Sequence, residues 1–267
     1  MIGYWLHMSK KARERIANRE KHVERRDKMS IHDFTHDRAT IEEVFDQSTR
    51  MVIYRFLNSG DLNEVNGVVS AGKEARVYWG KKKDGTELAV KIYLTSSAEF
   101  KKGMMMYIEG DYRFKSVKRN TRSLIYTWAQ KEFRNLQEAA RAKVRVPTPL
   151  AVESNVLLME FIGKNGVRAS SLKEQPPDDP EKTYNQLLKY MEQLYRKAEL
   201  VHGDLSEYNL MIWKGKLVMF DMSQSVPISH PLAQFLLNRD ITNVNRFFSR
   251  LGVKVLSSEE VYRKVTG

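Results

Sequence analysis

The residues best suited to chemistry lie in the second half of the chain: Asp204, Asn209 and Asp221. Two apolar runs flank the turn Lys214-Gly215 and predict a β-hairpin. Antiparallel pairing about this turn places Asn209 opposite Phe220 or Asp221, so an amide oxygen and a carboxylate share one end of the hairpin. Such oxygen ligands suit Mg²⁺ (or Mn²⁺) that carries nucleotide phosphates.

Asp204 lies on the loop that enters this hairpin, five residues before Asn209. One aspartate at the nucleophile, with an asparagine and a second aspartate on the metal, is the division of labour in phosphoryl transfer by kinases. Read singly, Asp204 also fits a loop cap and Asp221 a turn at the end of a strand. Read together with the preceding Val201-His202, the set favours catalysis.

Lys91 lies in the predicted strand Leu88–Ile92, whose side chains alternate between two faces. Leu88, Val90 and Ile92 share one face, while Ala89 and Lys91 share the other. A lysine in this setting needs an anionic partner, which phosphates and a carboxylate would supply. The small Ala89 would leave room for adenine. An exposed lysine on an edge strand is the alternative reading of the same pattern.

Glu132 is the candidate carboxylate partner for Lys91. It lies in a helix predicted over residues 123–143, four residues from both Trp128 and Leu136, and therefore on the core-facing stripe. A buried charge at this position is costly unless it is paired. Glu138 is the competing acidic residue, but it falls off the stripe.

The turn that begins at Ser70 and ends at Val77 contains several small residues between two predicted strands. Such a turn lets backbone N–H groups approach phosphates. Its spacing is neither that of a Walker A motif nor that of the usual kinase glycine-rich loop. The turn alone does not specify a nucleotide.

The remaining pattern predicts an α+β protein with two lobes. A helix over 40–58 has Thr40 as N-cap, Glu43 in a capping box and Gly60 as its stop. Further helices and strands are expected in the order helix, strands, helix, strands, helices with one late hairpin. The helices are expected over 10–28, 123–143, 181–197, 231–250 and 257–265, and the strands over 65–69, 75–79, 88–93, 150–153 and 156–161. Residues 95–122 are interpreted as a flexible inserted loop, and residues 163–180 as a loop.

Composition narrows the class of protein. The chain has 267 residues, of which 42% are hydrophobic, and no cysteine, which excludes disulfides and thiolate-bound metals and fits a cytoplasmic protein. No apolar run approaches the ~20 residues of a membrane span, so no membrane partner is expected. Residues 101–147 contain 12 basic and 4 acidic residues, and residues 1–38 contain 10 and 6. These segments predict either a polyanion partner such as RNA or solvated helix faces.

Four segments resemble RIO-type atypical protein kinases, most closely the Rio-one subfamily, in the right order over about residues 40–250. They are Ser-Ala-Gly-Lys-Glu-Ala at 70–75, Trp-Ala-Gln-Lys-Glu-Phe-Arg-Asn-Leu at 128–136, His-Gly-Asp-Leu-Ser-Glu-Tyr-Asn at 202–209 and Asp-Met-Ser-Gln at 221–224. The resemblance implies a two-lobed protein kinase-like fold, with an antiparallel sheet and helix in the N-lobe and a reduced, mostly helical C-lobe. It implies an N-terminal helical extension (1–60), an N-lobe (61–162) and a C-lobe (163–267).

The resemblance also implies the site. Asp204 would be the catalytic aspartate, Asn209 and Asp221 would bind metal, and Asp221 could itself be phosphorylated. Lys91 would hold the α- and β-phosphates of ATP and pair with Glu132, and the hinge 159–162 would meet adenine through backbone groups of Glu160 and Ile162. The cofactor-binding residues would be Ser70, Ala71, Gly72, Lys73, Glu74, Val77, Ala89, Lys91, Glu132, Met159, Glu160 and Ile162.

The chain departs from ordinary protein kinases as RIO kinases do. Gly203 replaces the arginine of the catalytic loop, and Asp221-Met222-Ser223 replaces Asp-Phe-Gly. The resemblance therefore implies serine autophosphorylation or ATPase activity in maturation of the small ribosomal subunit, with ribosomal RNA facing the basic segments 1–38 and 101–147. Two alternatives stay open: an ATP-switched RNA or ribosome assembly factor with little turnover, and a small-molecule phosphotransferase of the aminoglycoside or choline kinase type.

Overall fold

A computed structural model of the protein describes residues 45–94, 98–114 and 120–267. The helices in these ranges are α1 (Gln47–Ser59), α2 (Ala98–Ile108), α3 (Thr121–Arg141), α4 (Pro180–Ala198), α5 (Ala233–Arg250) and α6 (Ser258–Thr266). The strands are β1 (Glu64–Ala71), β2 (Ala75–Lys81), β3 (Glu87–Tyr93), β4 (Pro149–Glu153), β5 (Val156–Glu160), β6 (Gly163–Lys164), β7 (Val167–Arg168), β8 (Leu200–Val201), β9 (Leu210–Trp213), β10 (Lys216–Met219) and β11 (Val226–Pro227). This α+β content confirms the predicted fold class.

The first lobe is built on a five-stranded antiparallel sheet in the order β1-β2-β3-β5-β4. The turns at Asp84-Gly85 and Ser154-Asn155 connect β2 to β3 and β4 to β5. Gly85 has a φ of 81° and Ser154 a φ of 52°, the left-handed conformation that tight turns require. The central strands β3 and β5 carry Ala89, Lys91 and Met159 into the cleft described below.

The two faces of the sheet bury different helices. Leu88, Val90 and Ile92 of β3 pack with Val52 and Ile53 of α1 on one face. On the opposite face, the large core of α3 continues into the helices of the second lobe. The period-two alternation predicted for β3 is therefore confirmed, because Leu88, Val90 and Ile92 share the α1 face.

Helix α1 begins later than the sequence pattern predicted. Asp46 is the N-cap: its backbone is extended and its side chain accepts a hydrogen bond from the amide of Thr49. A helix cannot continue through this extended residue, so the start predicted at Thr40 is wrong. The predicted stop is confirmed, since Gly60 is the left-handed C-cap. Thr40, Glu43 and the helix predicted over 10–28 lie outside the described residues.

Residues 95–122 were predicted to be a flexible loop, and most of the described part is helical instead. Helix α2 is followed by a 3₁₀ turn at Tyr112–Phe114, and α3 begins at Thr121 with Asn120 as its N-cap. The physical reason is burial. Met104, Tyr107 and Ile108 follow the i, i+3, i+4 spacing of one helix face and join the large core. The many charges around this short stripe obscured its period.

The second lobe is mostly helical, as predicted. Helices α4, α5 and α6 bury their apolar faces against one another, and the predicted hairpin of β9 and β10 turns at Lys214-Gly215. The segment predicted as a loop over 163–180 contains a short hairpin of β6 and β7. Across the three described ranges, no helix is both long and apolar enough to cross a membrane.

Candidate active site

A cleft of about 480 Å³ is lined both by the sheet and by the segments around the β9–β10 hairpin. Most of the site residues predicted from the sequence line this cleft. They are Ser70, Gly72, Lys73, Glu74, Val77, Ala89, Lys91, Glu132, Met159, Glu160, Ile162, Asp204 and Asp221. Ala71 and Asn209 are not among the lining residues, although the Asn209 side chain is hydrogen-bonded to Asp204, which does line the cleft.

Lys91 lies between two carboxylates contributed by distant parts of the chain. Its Nζ is 2.8 Å from Oε2 of Glu132 on α3 and 3.1 Å from Oδ1 of Asp221, which follows β10. Burial disfavours the charged lysine, yet the carboxylates of Asp221 and Glu132 outweigh burial and raise the pKa of Lys91 above its ordinary value. The ammonium is therefore a permanent positive charge at the inner end of the cleft.

Glu132 is almost fully buried, with 1% of its surface exposed, because it lies on the apolar stripe of α3. The hydroxyl of Tyr93 donates a second hydrogen bond to its carboxylate. Tyr93 was not predicted as a site residue, although it continues the β3 face that carries Ala89 and Lys91. The competing candidate Glu138 lies on the surface and pairs with Arg141 at 2.7 Å.

Asp221 combines a strained backbone with a cleft-facing side chain. Its φ of 57° lies in the left-handed region, and 42% of its side-chain surface is exposed to the cleft. Ser223 Oγ donates to Oδ1 at 2.8 Å. Burial would raise the pKa of this carboxyl, but Lys91 and Ser223 outweigh burial and hold the pKa below its ordinary value. Asp221 is therefore an anion that can receive a cation.

The hairpin register brings Asn209 to the predicted position. The Phe220 amide donates to the Asn209 carbonyl at 3.0 Å, which places Asn209 beside the residue that precedes Asp221. The Asn209 amide nitrogen donates to the Asp204 carbonyl at 2.8 Å and to the Asp204 carboxylate at 3.2 Å. With its nitrogen turned to Asp204, Asn209 has its side-chain oxygen as the atom that could bind a metal.

Asp204 is in a mixed electrostatic environment. Burial raises the pKa of its carboxyl, and the nearby charge of Asp221 adds to this rise. Arg239 and the hydrogen bond from Asn209 act in the opposite direction. A carboxylate in a cleft with a raised pKa is suited to accept a proton from an attacking hydroxyl or water.

The loop that carries Asp204 is fixed from helix α5. Asp240 is buried and accepts hydrogen bonds from the amides of Gly203 at 2.8 Å and Leu205 at 2.9 Å. Arg239 donates to the Gly203 carbonyl. Sequence analysis missed both residues, although Asp240 stands four residues from Leu236 on the apolar stripe of α5, the same signal that identified Glu132.

The expected hinge places its backbone at the edge of the cleft. The Glu160 amide donates to the Thr148 carbonyl at 2.8 Å, and the Ile162 carbonyl accepts from the Ala169 amide at 2.8 Å. The Glu160 side chain forms a bidentate ion pair with Arg145, with distances of 2.5 and 2.8 Å. Glu160 therefore uses its side chain for structure, and only backbone groups are suited to contact a base.

The turn between β1 and β2 closes the cleft from above. The Gly72 amide donates to the Ala75 carbonyl at 2.9 Å, which keeps the turn tight. Burial raises the pKa of the Glu74 carboxyl in this turn, and Asp221 adds to the rise. Glu74, Glu132, Asp204 and Asp221 all line the cleft, and Glu132 and Asp221 contact Lys91 directly. Phosphates bound beside these carboxylates would need further cations.

Sequence analysis missed several other lining residues, because they lie in segments predicted as loops. Arg168 and Glu174 form a bidentate ion pair at 2.5 and 2.8 Å, and Ser171 donates to Glu174. Tyr208 also lines the cleft, with Lys173 over its ring. Spacing alone gave no signal for these contacts.

The two-lobed fold and the lysine held between a helix glutamate and a post-strand aspartate are those of a protein kinase-like protein. The RIO domain model matches residues 76–261. The chain therefore belongs to the RIO domain family.

Relatives in this family cover most of the chain. The serine/threonine-protein kinase rio1 of Schizosaccharomyces pombe is 42% identical over 91% of this chain and 50% of its own length. The human serine/threonine-protein kinase RIO1 is 41% identical over 86% of this chain and 41% of its own length. The RIO-type serine/threonine-protein kinase Rio1 of Haloferax volcanii is 42% identical over 85% of this chain and 77% of its own length. The chain thus spans half or less of the two eukaryotic relatives and about three quarters of the archaeal one.

A solved structure shares the fold. The Rio2 kinase of Chaetomium thermophilum, described as an ADP/Mg²⁺-phosphoaspartate complex, superposes with a TM-score of 0.62 at 19% identity. The match covers 81% of this chain and 66% of the Rio2 chain. At this identity, the match supports the kinase-like architecture and no residue role.

Gly203 provides a test of how the loop that carries Asp204 is built. Its φ is +80°, and a Cβ at this position would lie 2.8 Å from the Gln224 carbonyl oxygen. We expect Gly203→Ala to combine left-handed strain of about 1–2 kcal/mol with a backbone clash, and to lower the free energy of unfolding in urea by more than the strain alone.

Gly215→Ala is the matched control, because Gly215 also has a positive φ of 71° but no atom lies within 4 Å of the added Cβ. This variant should lose only the conformational part of the stability. Equal losses in the two variants would show that the close approach of Gln224 to Gly203 has no energetic weight.

Proposed function

We propose that this protein transfers the γ-phosphoryl group of ATP as a RIO-type atypical serine/threonine kinase, an ATPase or both. The observation that carries the proposal is the buried Lys91 between Glu132 and Asp221, with Asp204 across the same cleft. Lysine, catalytic aspartate, asparagine and metal-binding aspartate are the groups that phosphoryl transfer in kinases requires. Family membership and the names of the relatives support the same activity.

In this proposal, the adenine lies against Ala89 and Met159, which face each other across β3 and β5. The Glu160 carbonyl would accept from the base and the Ile162 amide would donate to it, since the other backbone groups of these residues bond within the protein. Lys91 would contact the α- and β-phosphates, and the turn from Ser70 to Glu74 would cover them.

Asn209 and Asp221 would hold Mg²⁺ (or Mn²⁺), which commonly binds through one or two protein oxygens and completes its coordination with phosphates and water. The metal would neutralise phosphate charge. Asp221 is anionic, and Asn209 bonds to Asp204 through its side-chain nitrogen and not through its side-chain oxygen, so both groups fit this role. Asp204 would orient the acceptor hydroxyl or water and take its proton.

Two acceptors are compatible with this site. A serine hydroxyl of the protein would give autophosphorylation, and Asp221 itself could form an acyl phosphate that water then hydrolyses, which amounts to ATPase activity. The Rio2 structure is described as a phosphoaspartate complex, so a protein with the same fold is compatible with the second route. Lys91 and Ser223 both contact Oδ1 of Asp221, so Oδ2 would be the oxygen that attacks the γ-phosphorus as ADP leaves.

Asp204→Ala tests the catalytic assignment. We expect the rate of phosphoryl transfer from γ-labelled ATP to fall by about 10²- to 10⁴-fold, because the general base is lost. Mg-ATP binding, measured by calorimetry, should persist, since Lys91 and Asp221 remain. Asp178→Ala is the control, because Asp178 is exposed and is not among the residues that line the cleft. Unchanged turnover in the Asp204 variant would contradict the assignment. Binding without turnover in the wild type would instead favour the ATP-switched assembly factor.

We further propose that the protein works in the cytoplasm on the maturing small ribosomal subunit, and that the basic segments 1–38 and 101–147 contact ribosomal RNA. The net charge of +8 in the second segment supports a polyanion partner. The described residues of this segment form helices and a turn that leave Arg122 and Arg134 available on the surface side of α3.

Charge reversal of Lys115, Lys118, Arg119 and Arg122 should weaken co-sedimentation with small ribosomal subunits. Wild-type binding should fall steeply with salt, because each phosphate contact releases counterions. Charge reversal of Lys254 and Arg263, in the C-terminal part of the chain, is the control. Binding that does not respond to salt would contradict the RNA proposal and leave the phosphoryl-transfer proposal intact.

A further inference from the structure

Helix α3 carries two more buried polar side chains, and both face the loop after Asp221. Lys131 and Asn135 each have 0% of their surface exposed. Lys131 Nζ donates to the Ser223 carbonyl at 3.0 Å and to the Ser225 carbonyl. Asn135 Nδ2 donates to the Met222 carbonyl at 2.8 Å and also to the Ser225 carbonyl at 3.0 Å. Two side chains thus satisfy three carbonyls of one short loop.

These contacts have a physical necessity. The loop forms a single 3₁₀ turn at Met222–Gln224, in which the Ser225 amide donates to the Met222 carbonyl at 3.2 Å. A turn this short leaves the carbonyls that follow, those of Ser223 and Ser225, without partners inside it. A buried carbonyl without a donor costs free energy comparable to a lost hydrogen bond. Because the loop is buried against α3, these carbonyls bond to the side chains of Lys131 and Asn135 rather than to water. Burying a lysine for this purpose is expensive, so the arrangement is a specific one.

The same loop controls Asp221 and the catalytic loop. Ser223 Oγ bonds to Asp221 Oδ1 at 2.8 Å, while Ser225 Oγ donates to the His202 carbonyl at 2.9 Å. Asp221 has a positive φ, which persists only when its surroundings hold it in place. A continuous set of bonds therefore runs from Lys131 and Asn135 through the loop to Asp221 and to the residues around Asp204.

The charges around Lys131 do not remove this role. Burial lowers the pKa of Lys131 to about 7, with the Asp111 carboxylate opposing the fall and the Arg113 guanidinium adding to it. His230 is the other titratable group whose charge is coupled to Lys131. A protonated amine has three N–H donors and a neutral one has two, so either form can serve the two carbonyls.

We propose that Lys131 and Asn135 are positioning residues that fasten α3 to the loop Met222–Ser225 and so hold Asp221 in the geometry that receives the metal–nucleotide complex. Glu132, between them in sequence, fixes Lys91 from the same helix. Helix α3 thus positions both members of the Lys91–Asp221 ion pair: Lys91 through Glu132, and Asp221 through Lys131 and Asn135. The consequence for catalysis rests on the proposed function, whereas the fastening itself does not.

Hydrogen exchange of the protein without nucleotide tests the fastening directly. In Lys131→Met and in Asn135→Leu, we expect the amides of residues 222–226 to exchange about 10-fold faster than in the wild type, because the loop opens locally. Leu158→Ala is the control: Leu158 is buried on the opposite, α1 side of the sheet, so this variant loses stability without touching the loop. Unchanged exchange in both α3 variants, Lys131→Met and Asn135→Leu, would overturn the proposal. An increase spread evenly over the chain, as in the control, would also overturn it.

Dependence on Mg²⁺ tests the consequence. Both α3 variants should have a lower kcat and should need a Mg²⁺ concentration about 5-fold or more above that of the wild type for half-maximal turnover. Leu158→Ala, compared at matched stability, should keep the wild-type Mg²⁺ requirement. Adenosine binding without metal should be unchanged in all of them. An α3 variant that exchanges the amides of residues 222–226 faster and still has the wild-type Mg²⁺ requirement would overturn the positioning role. If wild-type turnover is absent, the proposed function fails and the exchange measurement still decides whether the fastening exists.

Discussion

The bridge from Lys91 to Glu132 and Asp221 is the interaction on which the rest of the structure depends. It joins the central strand β3, the helix α3 and the loop after β10. Lys91 and Glu132 are buried, so little water screens the charges of that pair, whereas the Asp221 side chain is open to the cleft. A buried pair of this kind costs free energy in desolvation, and removal of one partner leaves an unpaired charge in the interior. Its cost is understandable if these carboxylates and Lys91 serve a metal-bound polyphosphate.

The loops on either side of this bridge are fixed by backbone contacts with buried side chains. Asp240 and Arg239 hold the loop of Asp204 through its amides and a carbonyl, and Lys131 and Asn135 hold the loop of Asp221 through its carbonyls. Gly203 lies so close to Gln224 that a larger residue would not fit without movement. The two loops are therefore set by hydrogen bonds from side chains of α5 and α3 and by the close contact of Gly203 with Gln224.

Much of this could be predicted from the sequence, and the reason is periodicity. Lys91 and Glu132 were identified because a charged residue interrupted an apolar strand face or helix stripe, and the pairing of Asn209 with Phe220 followed from the hairpin turn. Helix α2 was missed because its apolar stripe is short and surrounded by charges. Lys131 and Asn135 stand three and seven residues after Trp128 on the same buried face as Glu132, so the periodic signal was present but was used only for Glu132. The Arg168–Glu174 pair was missed because contacts between loop residues have no period along the chain.

The most direct test of the central claim is to follow γ-labelled ATP with the purified protein in Mg²⁺ and to measure label both on the protein and in free phosphate. The account predicts that label enters one or both pools in the wild type, and that Lys91→Met slows both by about 10²-fold or more, because the charge that orients the phosphates is lost. Label that enters neither pool faster in the wild type than in the Lys91 variant would contradict the account.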